Sequence, residues 1–194
     1  MISFLEHHQI FLTKEITPEV AEDFIRRLTL LTIHHHNDVE KRAVTVWLGA
    51  PGGHEFAVLS MIDVVRTSVL PLQVVGHGLV GSGAVWLFAA FPKGSRIALP
   101  HTYFLLHEGD VTIQGTRQES RAAFSTLEQL NTLYIDLLAE FTGQKKSTIR
   151  KILQTDSYLT AEQAQKLGIV DHIISWDEER GEICPRSRSK SINC

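Results

Sequence analysis

The stretch VLPLQVVGHGLVGSGAVWLFAAFP, Val69–Pro92, is apolar enough to suggest a membrane span, and its interruptions decide against one. Pro71, Gln73, His77 and four glycines break it, which leaves Gly83 to Phe91 as its clean apolar helix. That is the length of a core helix and short of a bilayer crossing. The stretch therefore reads as a buried strand at Leu72–Val75, a glycine-rich turn and a buried helix. In Gly78-Leu79-Val80-Gly81-Ser82-Gly83-Ala84 the small residues let the backbone turn tightly out of a strand into a helix, so the Ser82 hydroxyl is presented rather than buried.

The same alternation extends in both directions. Ile10-Phe11-Leu12 is a short strand, and Thr17-Pro18 is an N-cap with proline at the first helical position, opening a helix to about Leu31. Ala43–Leu48 is β-rich and ends at Gly49-Ala50-Pro51-Gly52-Gly53. A helix follows in which Phe56, Leu59, Ile62 and Val65 keep helical spacing. Beyond Ser82, Ile97–Leu99 and Tyr103–Leu106 read as strands. Thr116–Phe141 is a long amphipathic helix with Phe124, Leu127, Leu130, Tyr134, Leu137 and Phe141 on one face. A shorter helix runs to about Leu153, and Thr160-Ala161-Glu162-Gln163 is a capping box for a last helix ended by Gly168, before a strand at Ile169–Ile174. Successive β-then-α units argue an α/β fold with a mainly parallel sheet.

With 194 residues, 43% hydrophobic and 21% charged, the chain fills one core and is short for two. One domain is expected over 1–176 and a flexible tail over 177–194, where the sequence turns charged and then rich in Arg, Ser and Lys. A formal charge of −3 with both signs mixed gives no general attraction to nucleic acid or to an anionic membrane. Cys184 and Cys194 both fall in the tail, so no disulfide framework is implied, and the N-terminus lacks a basic-then-apolar secretory pattern. The expected compartment is the cytoplasm. His34-His35-His36 lacks the usual ligand spacing, so no metal site and no cofactor is expected.

The chemistry centres on Ser82, His107 and Asp156, which follow one another at intervals of 25 and then 49 residues. A serine hydroxyl is a poor nucleophile at neutral pH. It needs a base within hydrogen-bond reach, and the base needs a carboxylate to hold its tautomer and stabilise the imidazolium. The attacked carbonyl develops negative charge and needs backbone N–H donors already aimed at it. Gly83, at a helix start, offers one donor, and the Gly52-Gly53 turn after a strand offers a second. Each assignment has a plainer competitor: Pro-Gly-Gly as an ordinary turn, His107 as a structural histidine, Asp156 as a loop residue. Composition alone does not separate them.

The ordered set of motifs does. Ile10-Phe11-Leu12-Thr13, Pro51-Gly52-Gly53, Ser82-Gly83-Ala84 with Lys93-Gly94-Ser95-Arg96, Leu99-Pro100, Leu105-Leu106-His107, and Asp156-Ser157-Tyr158-Leu159-Thr160-Ala161 with Leu167-Gly168-Ile169-Val170-Asp171 stand in one order. From Gln9 to Ile174 the chain resembles the proteolytic subunit of the Clp protease, the ClpP family of serine peptidases. The resemblance implies a ClpP/crotonase-like spiral of β-β-α units with Thr116–Phe141 as the handle helix. It also implies Ser82, His107 and Asp156 as the triad, with Gly53 and Gly83 as the oxyanion donors. The order serine, histidine, aspartate and the lack of a full Gly-x-Ser-x-Gly elbow set the chain apart from α/β-hydrolases.

What the resemblance implies for function is a serine endopeptidase subunit that cuts unfolded proteins or short peptides inside a homo-oligomeric chamber. That chamber would be built of heptameric rings, two of them making a tetradecamer, and fed by a Clp-type ATPase. The sequence departs from the family at Ala50, which replaces a serine, at Thr45 in the pocket that receives ATPase loops, at Glu108-Gly109 after the histidine, and at Gln154-Thr155 before the aspartate. Those departures keep a catalytically inactive ring subunit as the alternative. A crotonase-like acyl-CoA enzyme, which uses the same spiral and backbone oxyanion donors, is a further one.

Overall fold

The computed structural model describes residues 8–34, 43–109, 115–177 and 182–185. Five strands, β1 (Gln9–Leu12), β2 (Val44–Leu48), β3 (Leu72–Gly76), β5 (Arg96–Ala98) and β8 (His172–Asp177), run parallel in that order, and β9 (Glu182–Pro185) pairs antiparallel outside β8. A second sheet holds β4 (Leu79–Gly81), β6 (Tyr103–Leu106) and β7 (Ser157–Thr160). Within it β4 and β6 are parallel, and β7 is antiparallel to β6.

The helices are α1 (Pro18–His34), α2 (Glu55–Thr67), α3 (Gly83–Ala89), α4 (Arg117–Thr142), α5 (Lys146–Leu153) and α6 (Ala161–Leu167). Two strand pairs explain the spiral. After β3 the chain bends at Gly78, with φ of 59°, leaves the large sheet, forms β4 in the small one and enters α3. After β5 it does the same, through β6, before α4. The buried Thr102 hydroxyl donates to the Gly76 carbonyl at 2.8 Å and ties the two crossings together. The expected α/β fold of β-β-α units with a long helix is the fold observed.

Burial follows the sequence periods. In β2, Val44, Val46 and Leu48 are buried while Thr45 and Trp47 are partly exposed, the period of two that a strand requires. In α1 the buried set is Ala21, Phe24, Leu28 and Leu31; in α2 it is Ala57, Val58, Met61, Ile62 and Val65. Of the face expected in α2, Ile62 and Val65 are thus buried, Leu59 is partly buried and Phe56 is exposed, the buried stripe being centred one position further round the helix. From Ala84 to Ala89 every residue of α3 is buried, so that helix runs through the core. Thr116 and Thr160 close capping boxes on Glu119 and Gln163, while Gly143 and Gly168 end their helices in the left-handed region.

The last parallel strand begins later than its apolar run suggests. The N–H of Ile169 is taken by the Ala164 carbonyl within α6, and that of Asp171 by the Arg96 carbonyl, so pairing with β5 starts only at His172. Asp171 then clamps the fold. Its carboxylate accepts from Arg96 Nε at 2.8 Å and Nη2 at 2.5 Å and from the Gly94 N–H at 2.7 Å, while Arg96 Nη1 donates to the Phe141 carbonyl at 3.1 Å. Within the stretch expected to be a flexible tail, Glu182–Pro185 forms β9, whose backbone occupies the otherwise open edge of β8. His35, His36 and Cys194 lie outside the described residues.

Candidate active site

Ser82 is where the backbone departs from ordinary geometry. It stands between β4 and α3 at φ 48°, ψ −133°, in a region that side chains rarely occupy. Such a conformation persists only when the surroundings hold it, and here they do. The Ser82 N–H donates to the Leu105 carbonyl at 2.8 Å, and the Gly81 N–H to the Ala50 carbonyl at 2.9 Å. The first bond fixes the serine turn to the strand that ends one residue before His107. The second fixes it to the turn that carries Gly53.

That second turn fits only without side chains. A Cβ on Gly52, whose φ is 106°, would lie 2.7 Å from both the Gly81 carbonyl oxygen and Ser82 Cβ. Gly53 lies in an isolated parallel bridge with Ile16, and Ile16 supplies both bonds of that bridge, accepting from His54 and donating to Gly52. The polar groups of Gly53 therefore face away from Ile16. Among the described residues neither Gly53 nor Gly83 donates its N–H to a backbone carbonyl. Gly83 is the first residue of α3, whose early N–H groups lack intrahelical acceptors.

A pocket of about 90 Å³ opens beside the serine, and Gly53, Ser82, Gly83 and His107 all line it. The volume is well under the roughly 300 Å³ at which whole-ligand sites begin, so it suits one side chain of a larger substrate. Asp156 is not on its wall. It is exposed and sits one residue before β7, as His107 sits one residue after β6; the register Leu106↔Ser157 puts both at the same end of that strand pair. Among the described residues no hydrogen bond joins Ser82 to His107 or His107 to Asp156. Of the five residues expected at the site, four share the pocket and the carboxylate stands outside it.

Sequence reading missed most of the wall. Trp86 of α3, Glu55 at the start of α2, Glu108, and Leu127, Asn131 and Tyr134 of α4 also line the pocket. Leu127 and Tyr134 were legible as one helix face, but nothing in their spacing says that the face closes on Ser82. Trp86 Nε1 donates to the Tyr134 carbonyl at 2.7 Å, and the two rings meet edge to face at 5.2 Å. The Tyr134 hydroxyl donates to the Glu55 carbonyl at 3.1 Å. Burial, and then the negative charge of Glu55, push the Tyr134 phenol above its ordinary pKa, so it remains a donor. Among the described residues no group of His, Cys, Asp and Glu is arranged to hold a metal ion.

A model of the family described as Clp protease matches residues 1–177. The chain belongs to the Clp protease family. Members of that family are serine peptidases. The chain is 29% identical over 175 residues to the ATP-dependent Clp protease proteolytic subunit 1 of Corynebacterium jeikeium, covering 90% of this chain and 91% of that one. It is 30% identical over 173 residues to a protein of the same description from Mycolicibacterium paratuberculosis, covering 88% and 80% respectively. Among solved structures, a ClpP1 mutant from Listeria monocytogenes superposes with a TM-score of 0.79 at 25% identity, over 92% of this chain and 96% of that one. The resemblance read from the motifs is thus a family membership. Among the described residues no helix is long and apolar enough to cross a membrane.

Proposed function

We propose that this chain is a serine endopeptidase subunit that cleaves unfolded polypeptides or short peptides within a ring-shaped chamber. Ser82 attacks the peptide carbonyl, His107 takes its proton and returns it to the leaving amine, and Asp156 holds the His107 tautomer. The N–H groups of Gly53 and Gly83 receive the oxyanion, each such donor being worth about 3 to 4 kcal/mol of transition-state stabilisation. The observation that carries this reading is the backbone of Ser82: a non-glycine residue held at φ 48° between a strand and a helix, in one pocket with His107 and the two unused N–H groups.

The handle helix supports assembly into heptameric rings stacked in pairs. From Arg117 to Tyr134 no residue of α4 is buried, and Phe124 is 59% exposed, so much of its apolar face lacks a partner within one subunit. A Clp-type ATPase fits as the partner that delivers substrate. Trp47, at the position where the family receives ATPase loops, stacks on the exposed Phe11 with ring centres 6.3 Å apart. The chemistry calls for no metal or organic cofactor, and the proposed location is the cytoplasm.

A second reading, a ring subunit without turnover of its own, is favoured by the missing hydrogen bond between His107 and Asp156. Catalytic hydrogen bonds often tighten only when substrate is bound, which keeps the peptidase reading first. The two separate in one experiment. Wild type and Ser82→Ala, purified at the same assembly size, are given fluorogenic peptides and an unfolded protein. Turnover by wild type alone supports the peptidase, turnover by neither supports the ring subunit, and turnover by both moves the nucleophile elsewhere.

A further inference from the structure

The wall of the pocket beside Ser82 is apolar in one part and acidic in another. Trp86, Leu127, Leu130 and Leu153 supply the apolar surface, Glu55 and Glu108 line the same space, and among the described residues no lysine or arginine does. Among those residues, too, neither glutamate has an ion-pair partner. Glu55 is half-buried and lies in the first turn of α2, where the helix dipole favours a negative charge. The Tyr134 hydroxyl donates to the main-chain carbonyl of Glu55 and so ties the start of α2 to the handle helix, both of which line this wall. Glu108 follows His107 directly, on the exposed segment leading away from the serine.

Such a wall matches one kind of side chain. Lysine and arginine carry an apolar stem and a cationic head, so the stem covers leucine and tryptophan while the head reaches a carboxylate. An uncharged apolar side chain fills the same space but strips water from a glutamate and gives nothing back. An acidic one meets like charge.

We propose, on the basis of the peptidase reading above, that this pocket receives the side chain preceding the scissile bond and selects lysine or arginine there, with Glu55 as the principal selecting residue and Glu108 assisting.

The test uses the assembled protein and peptidyl-coumarin amides that differ only in their last residue: arginine, its uncharged isostere citrulline, leucine or glutamate. The expected result is a kcat/KM at least about tenfold higher for arginine than for citrulline, the size of one charge-assisted hydrogen bond, with leucine below arginine and glutamate lowest. Glu55→Gln should bring the arginine-to-citrulline ratio most of the way to one, chiefly through KM. Glu108→Gln should lower it less, and raising salt from about 0.05 to 0.5 M should lower it in wild type. A wild-type ratio near one, or a ratio that survives both substitutions, overturns the proposal. If Glu55→Gln does not fold, a wild-type ratio near one still overturns the proposal, and a ratio that Glu108→Gln alone brings to one overturns Glu55 as the principal residue. Mass spectrometry of a fluorophosphonate adduct on the same preparations separates the two failures. Leucine cleavage with Ser82 labelled and a ratio near one removes the selectivity and leaves the peptidase; no cleavage and no adduct removes both.

Discussion

The Tyr134 hydroxyl, midway along the handle helix, donates to the Glu55 carbonyl at the start of α2 across 3.1 Å, and so joins the segment that would meet a neighbouring subunit to the wall of the serine pocket. Because burial and then the Glu55 charge raise the phenol's pKa, Tyr134 keeps its proton well into alkaline solution. In a spectrophotometric titration, the difference between wild type and Tyr134→Phe should show no phenolate signal near pH 10, where exposed tyrosines ionise. The substitution should also lower unfolding stability by about 1 kcal/mol. A Tyr134 signal at the ordinary pH would mean that the hydroxyl is open to solvent and the link unmade.

Arg96 is 1% exposed and Asp171 12%, so their bridge is essentially internal. Burial alone would raise the pKa of Asp171, but the hydrogen bonds and charge of Arg96, joined by the N–H groups of Arg96 and Gly94, hold it below the ordinary carboxylate value. A lowered folded-state pKa contributes stability that is present above the unfolded value of about 3.9 and is lost as pH falls through the folded one. Asp171→Asn should cost about 3 to 5 kcal/mol at pH 7 by leaving the guanidinium buried and unpaired. Its Tm should also fall less steeply than that of wild type between about pH 5 and 3. Parallel Tm profiles would contradict the assignment.

Gly52→Ala tests the interlock of the two turns. The added methyl would meet the Gly81 carbonyl and Ser82 Cβ at 2.7 Å, and the φ of 106° is itself strained for alanine. A displacement of about 1 Å in a reacting group costs on the order of 100-fold. Peptide turnover should fall by at least about that factor while circular dichroism stays native. Unchanged turnover would show that the turn does not position the serine.

Much of the fold was legible because its signals are local. Thr160 with Gln163, Gly143, Gly168 and the alternation of Val44, Val46 and Leu48 each mark an element within a few residues. The strands β4 and β7, three and four residues long, were not legible, since each is defined by pairing with β6 rather than by any period of its own. The site divides the same way. Ser82, Gly53 and Gly83 announce themselves through glycine-rich turns, whereas Trp86, Glu55 and Tyr134 meet only when α2, α3 and α4 pack, across as many as 79 residues of chain. The position of Asp156 outside the pocket was also invisible, because a motif carries residue order and no distances.

Asp156→Asn probes that open carboxylate. If turnover passes through a closed triad, the substitution should lower kcat by roughly 10⁴-fold. Combining it with Ser82→Ala should add nothing, since the two act as one unit. Activity within a few-fold of wild type would assign Asp156 to the loop and leave His107 unsupported by it.

The most direct measurement is the intact mass of the protein after exposure to a fluorophosphonate, with Ser82→Ala and His107→Ala alongside. A single adduct that maps to Ser82 and is lost in both variants is the expected result. An assembled wild-type protein that takes no adduct, or takes it on another residue, would contradict Ser82 as an activated nucleophile.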